Sequence, residues 1–281
     1  MWNRKLCVNI TEADPMPLEQ QLEAVKYAGF DGFFVVWQKD IDMESLCQKA
    51  KELELDFQSL HAPWGKCRAM WREDEAAARE AVAELMTCVE ICAQYRIPIL
   101  VVHAIIGFAE PPATDMGIPR FDQVVNLAEE KGVQIALENT EGEDYLQLLL
   151  AHYKGRSSVG FCWDTGHELC YNHSQDLLAL YGDQLICTHL NDNLGIKDFS
   201  GQISVTDDLH LLPFDGIADW NDIVDRLNRC GFDGILTFEM NRVSKPGRRE
   251  NDAYAKMDLD EYLTHVYMRA CRVAQLKLNR K

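Results

Sequence analysis

Six short apolar segments of this chain end in a side chain that can bind a metal ion or move a proton. They are SLHA with His61, VVHA with His103, VQIALENT (133–140) with Glu138, GFCWDTGH with Asp164 and His167, CTHLND with His189, and ILTFEM with Glu239. Burying an unpaired carboxylate such as Glu138 at the end of an apolar run is costly, so such groups are paired with cations or bound to metal. Glu138, Asp164, His189 and Glu239 together offer oxygen and nitrogen donors and no thiolate, a set suited to Mn²⁺, Zn²⁺ or Co²⁺ rather than to a soft or redox centre. In D-T-G-H the strand delivers Asp164 and the following turn brings His167 back over the same place. In D-x-H, Asp208 and His210 point the same way if that segment is extended. A single histidine on an apolar strand is more often a satisfied core residue than a ligand. The pattern is collective: His61, His103, His167, His189 and His210, of 8 histidines in all, sit at or just past strand ends, while His152, His173 and His265 do not and read as ordinary polar residues.

Side chains delivered at the same end of successive apolar strands, with helical stretches between, call for a parallel barrel with one site at its mouth. The strands fall at 6–10, 32–36, 56–62, 99–104, 133–140, 159–165, 185–190 and 234–239. The helices fall at 17–28, 43–53, 75–95, 119–131, 145–152, 176–181, 220–230 and 260–278. Gly29 and Gly132 mark two helix ends, where a left-handed cap is needed. The expected fold is a single (β/α)8 TIM barrel over residues 1–281, with no linker or repeat to suggest a boundary. Segment 191–216 is long for a loop in a compact domain, which marks it as functional. The segment PWGKCRAMWRED reads as polar loop outside the core.

A chain of 281 residues has room for one large barrel, and a formal net charge of −17 argues against a nucleic-acid partner. The N-terminus MWNRKLCVNI lacks an apolar signal core, and the apolar stretch 99–109 is too short to span a bilayer and is broken by His103, so we expect a cytoplasmic protein with no membrane contact. None of the 10 cysteines forms a CxxC pair; Cys7, Cys162 and Cys187 read as reduced core residues, and Cys88 and Cys92 as packing on a helix face.

Glu138 within ENT, D-T-G-H, H-L-N-D at His189–Asp192, D-x-H followed by PFDG, and the glutamate of strand eight together resemble the xylose isomerase-like barrel superfamily. That superfamily holds sugar (phosphate) isomerases and epimerases, and also the apurinic-site endonucleases of the endonuclease-four type. The resemblance spans residues 6–239 as an ordered set. It implies one essential divalent ion on Glu138, Asp164, His189 and Glu239. The endonuclease branch uses three metals, and its ligands would fall on His61, His103, Glu138, Asp164, His167, His189, Asp208, His210 and Glu239, all of which carry a suitable side chain, so further ions stay open. Known epimerases of the superfamily often place an arginine shortly after the strand-seven histidine; here 191–195 contains none and Lys197 is the nearest cation.

The activity expected is metal-dependent isomerisation or epimerisation of a ketose, sugar phosphate or related polyol. The ion would act as a Lewis acid on carbonyl and hydroxyl oxygens, stabilising an enediolate, while Glu138 and Glu239 remove and return the proton. His61, His103 and His167 would hold hydroxyls. A multi-metal phosphodiester hydrolase and a non-catalytic sugar-binding barrel are the alternatives. Two basic clusters, Lys66, Arg68 and Arg72 after strand three and Arg242, Lys245, Arg248 and Arg249 after strand eight, are candidates for an anion site on the same face, with solvated loop charge as the plain alternative. Trp64 and Trp71 could form a sugar-stacking wall, a lid or a subunit contact, which leaves a homo-oligomer open.

Overall fold

The computed structural model describes residues 4–196 and 203–278, so Lys197 lies outside the described residues. Eight parallel strands run in the order β7-β6-β5-β4-β3-β2-β1-β8. They are β1 (Leu6–Ile10), β2 (Gly32–Val36), β3 (Asp56–His61), β4 (Ile99–His103), β5 (Gln134–Glu138), β6 (Val159–Asp164), β7 (Leu185–His189) and β8 (Leu236–Phe238). Leu190 closes the ring: it bridges Phe238, its N–H donates to the Thr237 carbonyl at 2.8 Å, and its own carbonyl accepts from Glu239 N at 3.2 Å. The strands are apolar and nearly continuous in their burial, as parallel strands covered on both faces must be.

Among the described residues the helices are α1 (Leu18–Ala28), α2 (Met43–Glu52), α3 (Glu75–Tyr95), α4 (Ile118–Lys131), α5 (Glu143–His152), α6 (Thr165–Cys170), α7 (Leu177–Tyr181), α8 (Trp220–Arg229) and α9 (Leu259–Leu278). Their starts are chemically marked, since Asp42, Asp74, Asp176 and Asp219 each accept a first-turn backbone N–H. Gly29 and Gly132 take the expected left-handed caps at φ 110° and 71°. The main core lies between sheet and helices, and a second, smaller cluster of Ile99, Val101, Ala136, Cys162 and Cys187 fills the inside of the barrel. No described helix is long and apolar enough to cross a membrane.

Two local expectations change. The turn after Asp164 is a short helix, α6, because Asp164 itself caps it by accepting from His167 N at 2.6 Å. The segment after β3 is not simply polar loop. It forms a 3-10 turn over Cys67–Trp71 with Met70 and Trp71 buried. Trp71 donates through Nε1 to Ala104 O at 2.7 Å and stands edge-on to Tyr145, and a Cβ at Gly117 would sit 2.4 Å from its ring. Trp71 is thus a core residue; Trp64 alone of the two reaches the mouth.

Candidate metal centre

Register does most of the assembly. Parallel pairing sets His103 beside Glu138 on β4 and β5, and Asp164 beside His189 on β6 and β7. His61 ends β3, and Glu239 follows β8 while still bonded to the Leu190 carbonyl. Glu138 is fully buried at the centre. Its Oε2 meets His61 Nε2 at 3.0 Å and His103 Nε2 at 2.9 Å, and its Oε1 meets His189 Nδ1 at 2.8 Å. His189 Nδ1 also lies 3.1 Å from Glu239 Oε2. Asp208 Oδ2 lies 2.9 Å from His210 Nε2 and 3.6 Å from His167 Nε2.

These residues fall into three groups whose donor atoms lie within 4.8 Å of one another: Glu138, Asp164, His189 and Glu239; His61, His103 and Glu138; and His167, Asp208 and His210. Two ligands of one divalent ion, each about 2.0–2.3 Å from it, cannot stand much farther apart than this. Three buried atoms in the centre, His103 Nδ1, His189 Nε2 and Asp208 Oδ1, lack a hydrogen-bond partner among the described residues. The donors are carboxylate oxygens and imidazole nitrogens, so the residues fit a divalent ion of the Mn²⁺, Zn²⁺ or Co²⁺ kind.

Electrostatics explain how so many buried titratable groups coexist. Burial alone would push the Glu138 carboxyl up, yet the facing His189, His103 and His61 hold it well below the ordinary range. Glu239, opposed by burial but facing His189 and His210, is held down to about 2. Asp164, whose burial outweighs its histidine neighbours, is pushed up to about 6. Burial disfavours the charged form of His210, but Asp208 and Glu239 prevail and carry it to about 9.

The metal-free protein therefore holds a proton on His210 at pH 7, and an ion bound there must expel it. Affinity of the His167, Asp208 and His210 group is expected to rise with pH from 7 through about 9, where His210 gives up its proton. His167, which burial opposes but Asp164 and Asp208 raise well above the ordinary value, adds to the same rise, while the group containing Asp164 weakens as pH falls through about 6. Calorimetric metal titrations at pH 7 in two buffers of different ionisation enthalpy read the proton count; zero protons released on filling the histidine-rich group would sink this reading. The stability of the metal-free fold has the opposite sign. The raised His210 contributes stability that is present below the ordinary value of 6.5 and lost as pH climbs through about 9.

Residues that the sequence did not single out hold these side chains in place. Asn139 clamps the end of β6, accepting from Asp164 N at 2.8 Å and donating to Asp164 O at 2.9 Å, and Asn191 donates to Asp164 Oδ2 at 2.8 Å. A Cβ at Gly166 would lie 1.9 Å from Asn191 Oδ1, which is why D-T-G-H needs its glycine. Both asparagines lie in the ENT and HLND motifs, where an amide beside a candidate metal-binding side chain is the sequence signal for them.

Asp192 organises the loop that carries Asp208 and His210. It accepts from Asn193 N, Phe214 N, Ala218 N and Trp220 Nε1 at 2.8–3.0 Å, and its backbone pairs antiparallel with Leu211. A Cβ at Gly216 would approach Asp192 Oδ1 to 2.2 Å, so PFDG is built around this carboxylate. His210 is held at φ 46°, a left-handed conformation that costs a non-glycine residue and persists because its surroundings impose it. Asp192→Ala leaves several buried donors unsatisfied and is expected to cost about 3 kcal/mol or more, read as a lower melting temperature together with loss of any ion held by His210. An unchanged melt would mean that the loop is held elsewhere.

The four candidate anion-binding residues do not gather. Lys245 borders the cavity, 3.5 Å from Asp208 Oδ2. Lys66 pairs with Glu84 at 3.0 Å, Arg68 with Glu110 at 2.9 Å, and Arg242 with Asp14 at 2.5 Å. Of the remaining basic residues, Arg72 also pairs with Glu110, and Arg248 reaches Asp207 and Glu250. Newly placed at the cavity are Glu141, Tyr171 and Asn241, with Trp64 stacked at 24° on His103, ring centroids 5.4 Å apart.

Fold and site define a (β/α)8 barrel whose mouth is furnished to hold divalent ions. The chain belongs to the xylose isomerase-like TIM barrel family, whose model matches residues 22–262. Among solved structures, the IOLI protein with a zinc atom bound superposes with a TM-score of 0.76 at 18% identity, covering 96% of this chain and 98% of that one. L-ribulose 3-epimerase gives 0.73 at 15% identity, covering 99% and 97%. D-allulose 3-epimerase from Methylomonas sp. in complex with D-allulose gives 0.68 at 15%, covering 98% of each chain. At these identities the likeness concerns the fold. The uncharacterized protein y4fM of Sinorhizobium fredii (strain NBRC 101917 / NGR234) is 38% identical over 125 residues, which is 42% of this chain and 37% of that protein.

Proposed function

We propose that this barrel is a metal-dependent isomerase or epimerase of a ketose, sugar phosphate or related polyol. The observation that carries the reading is the placement of two glutamates, Glu138 on β5 and Glu239 after β8, on one oxygen- and nitrogen-lined cation set bordering a cavity of about 240 Å³. Glu138, Asp164, His189 and Glu239 would hold a divalent ion, which would supply Lewis acidity toward the oxygens of a bound sugar. Glu239, the more accessible of the two with its side chain 19% exposed, takes the proton from the adjacent carbon. Glu138, ionised and fixed by three facing histidines, delivers a different proton to the carbon, drawn from His61 or His103, whose Nε2 atoms lie 3.0 and 2.9 Å from its Oε2, while the proton on Glu239 leaves to solvent. Trp64 offers an apolar face, and Glu141, Asn241 and Lys245 offer hydroxyl or anion contacts at the rim. Relatives of the same fold that act on ketoses, among them L-ribulose and D-allulose 3-epimerases, support this class.

The test is proton exchange. Incubated with a panel of ketoses and their phosphates in deuterium oxide, the protein is expected to introduce deuterium beside the carbonyl of one of them, seen by NMR, with an isomer or epimer accumulating. No exchange with any of the panel would overturn the reading. One observation favours a second: His61, His103, His167, Asp208 and His210 complete two further cation groups around the first, an arrangement that suits phosphodiester cleavage by a multi-metal centre. Cleavage of a duplex containing an abasic site, with no exchange on sugars, would select it.

A further inference from the structure

Beneath the carboxylate layer the barrel interior holds a feature that the proposed chemistry does not use. Cys162 and Cys187 are direct partners across β6 and β7, both fully buried, one register position below Asp164 and His189 in the inward-facing series. Interior positions of such barrels are ordinarily filled by branched apolar residues. Here two thiols stand instead, and Gln58 donates through Nε2 to one of them, Cys187 Sγ, at 3.4 Å. Cys162 Sγ, Cys187 Sγ and a ring nitrogen of His189 lie within 4.8 Å of one another. Independently, His189 Nε2 is buried with no partner among the described residues, although the Nδ1 of the same ring is shared by two carboxylates. Cys88 and Cys92 are buried equally deeply on α3 but belong to no such group among the described residues.

We propose that Cys162, Cys187 and His189 form a second, softer cation site below the oxygen-rich one, for a thiophilic divalent ion of the zinc and cadmium class. Thiolate and imidazole donors select such ions, whereas the layer above, with three carboxylates and one imidazole, selects harder ones. Charge balance favours a divalent occupant: each thiol gives its proton to solvent on ligation, and two thiolates cancel two positive charges, so the buried complex is neutral. Gln58 completes four-coordination if its amide turns to present Oε1, the two amide ends being interchangeable in shape. His189 belongs to both groups, so an ion in the lower site fixes the ring that the upper site uses.

Cadmium is the probe. Reduced, chelator-treated protein is titrated with Cd²⁺ and followed by thiolate-to-cadmium charge-transfer absorption and by cadmium NMR. The expected result is one cadmium per chain that carries the charge-transfer band and a resonance shifted in the direction of sulfur ligation, separate from any cadmium on the oxygen- and nitrogen-donor groups above. In Cys162→Ala/Cys187→Ala both should vanish, while the upper group still binds Mn²⁺ by electron paramagnetic resonance. Should the double variant not fold, the near-isosteric single variants Cys162→Ser and Cys187→Ser serve, each expected to lose the sulfur-shifted signal. A parent with only oxygen- and nitrogen-type cadmium signals, or a thiolate band unchanged in the variants, overturns the proposal. Neither outcome depends on which substrate the upper site takes.

Discussion

Glu239→Gln is expected to lower turnover and solvent exchange of the substrate proton by a factor of about 10²–10⁴, the range for loss of a positioned general base, with far less effect on sugar binding. Glu239 is held ionised down to about 2 by His189 and His210 despite burial, so it carries no proton at neutral pH, the state a base needs; it gains basicity once those histidines give up their protons to a bound ion. It also has the more accessible side chain of the two glutamates. Gln keeps an oxygen for an ion and for the hydrogen bond with His189 but cannot take a proton. Metal content must be measured beside the rate, because a lost ion would mimic a lost base. A variant that keeps its ion and stays within a few fold of the parent, about the ~1 kcal/mol of one peripheral hydrogen bond, would remove Glu239 from the proton path.

Chelation is expected to reduce activity to background and addition of Mn²⁺, Co²⁺ or Zn²⁺ to restore it. Elemental analysis of the active protein then distinguishes the two readings of the site. One essential ion belongs on Glu138, Asp164, His189 and Glu239, and His210→Ala should leave it bound while raising KM. Near three ions per chain, with cleavage of abasic DNA, would instead make His61, His103, His167, Asp208 and His210 structural parts of a multi-metal hydrolase. Activity that persists in protein shown to be free of metal would end both. The three-group arrangement of donors makes stoichiometry the decisive number, because a single ion cannot use all the ligands present.

The strand ends His61, His103, Glu138, Asp164 and His189 were legible from residue order because a parallel strand's direction fixes which end meets the mouth, and each of these side chains terminates an apolar run at that end. Helix starts at Asp42, Asp74, Asp176 and Asp219 and the stops at Gly29 and Gly132 were local chemistry of the same kind. Contacts across the barrel were not legible. That Glu138 faces three histidines, that Lys66, Arg68 and Arg242 spend their charge on Glu84, Glu110 and Asp14, and that Trp71 is core while Trp64 lies on His103 all depend on where separate loops meet. The same is true of Asp192, whose carboxylate gathers donors from Phe214 to Trp220 and so places His210. Periodicity reports which face of an element is buried. Which partner waits there is decided by closure of the ring through Leu190 and the packing of the loops above it.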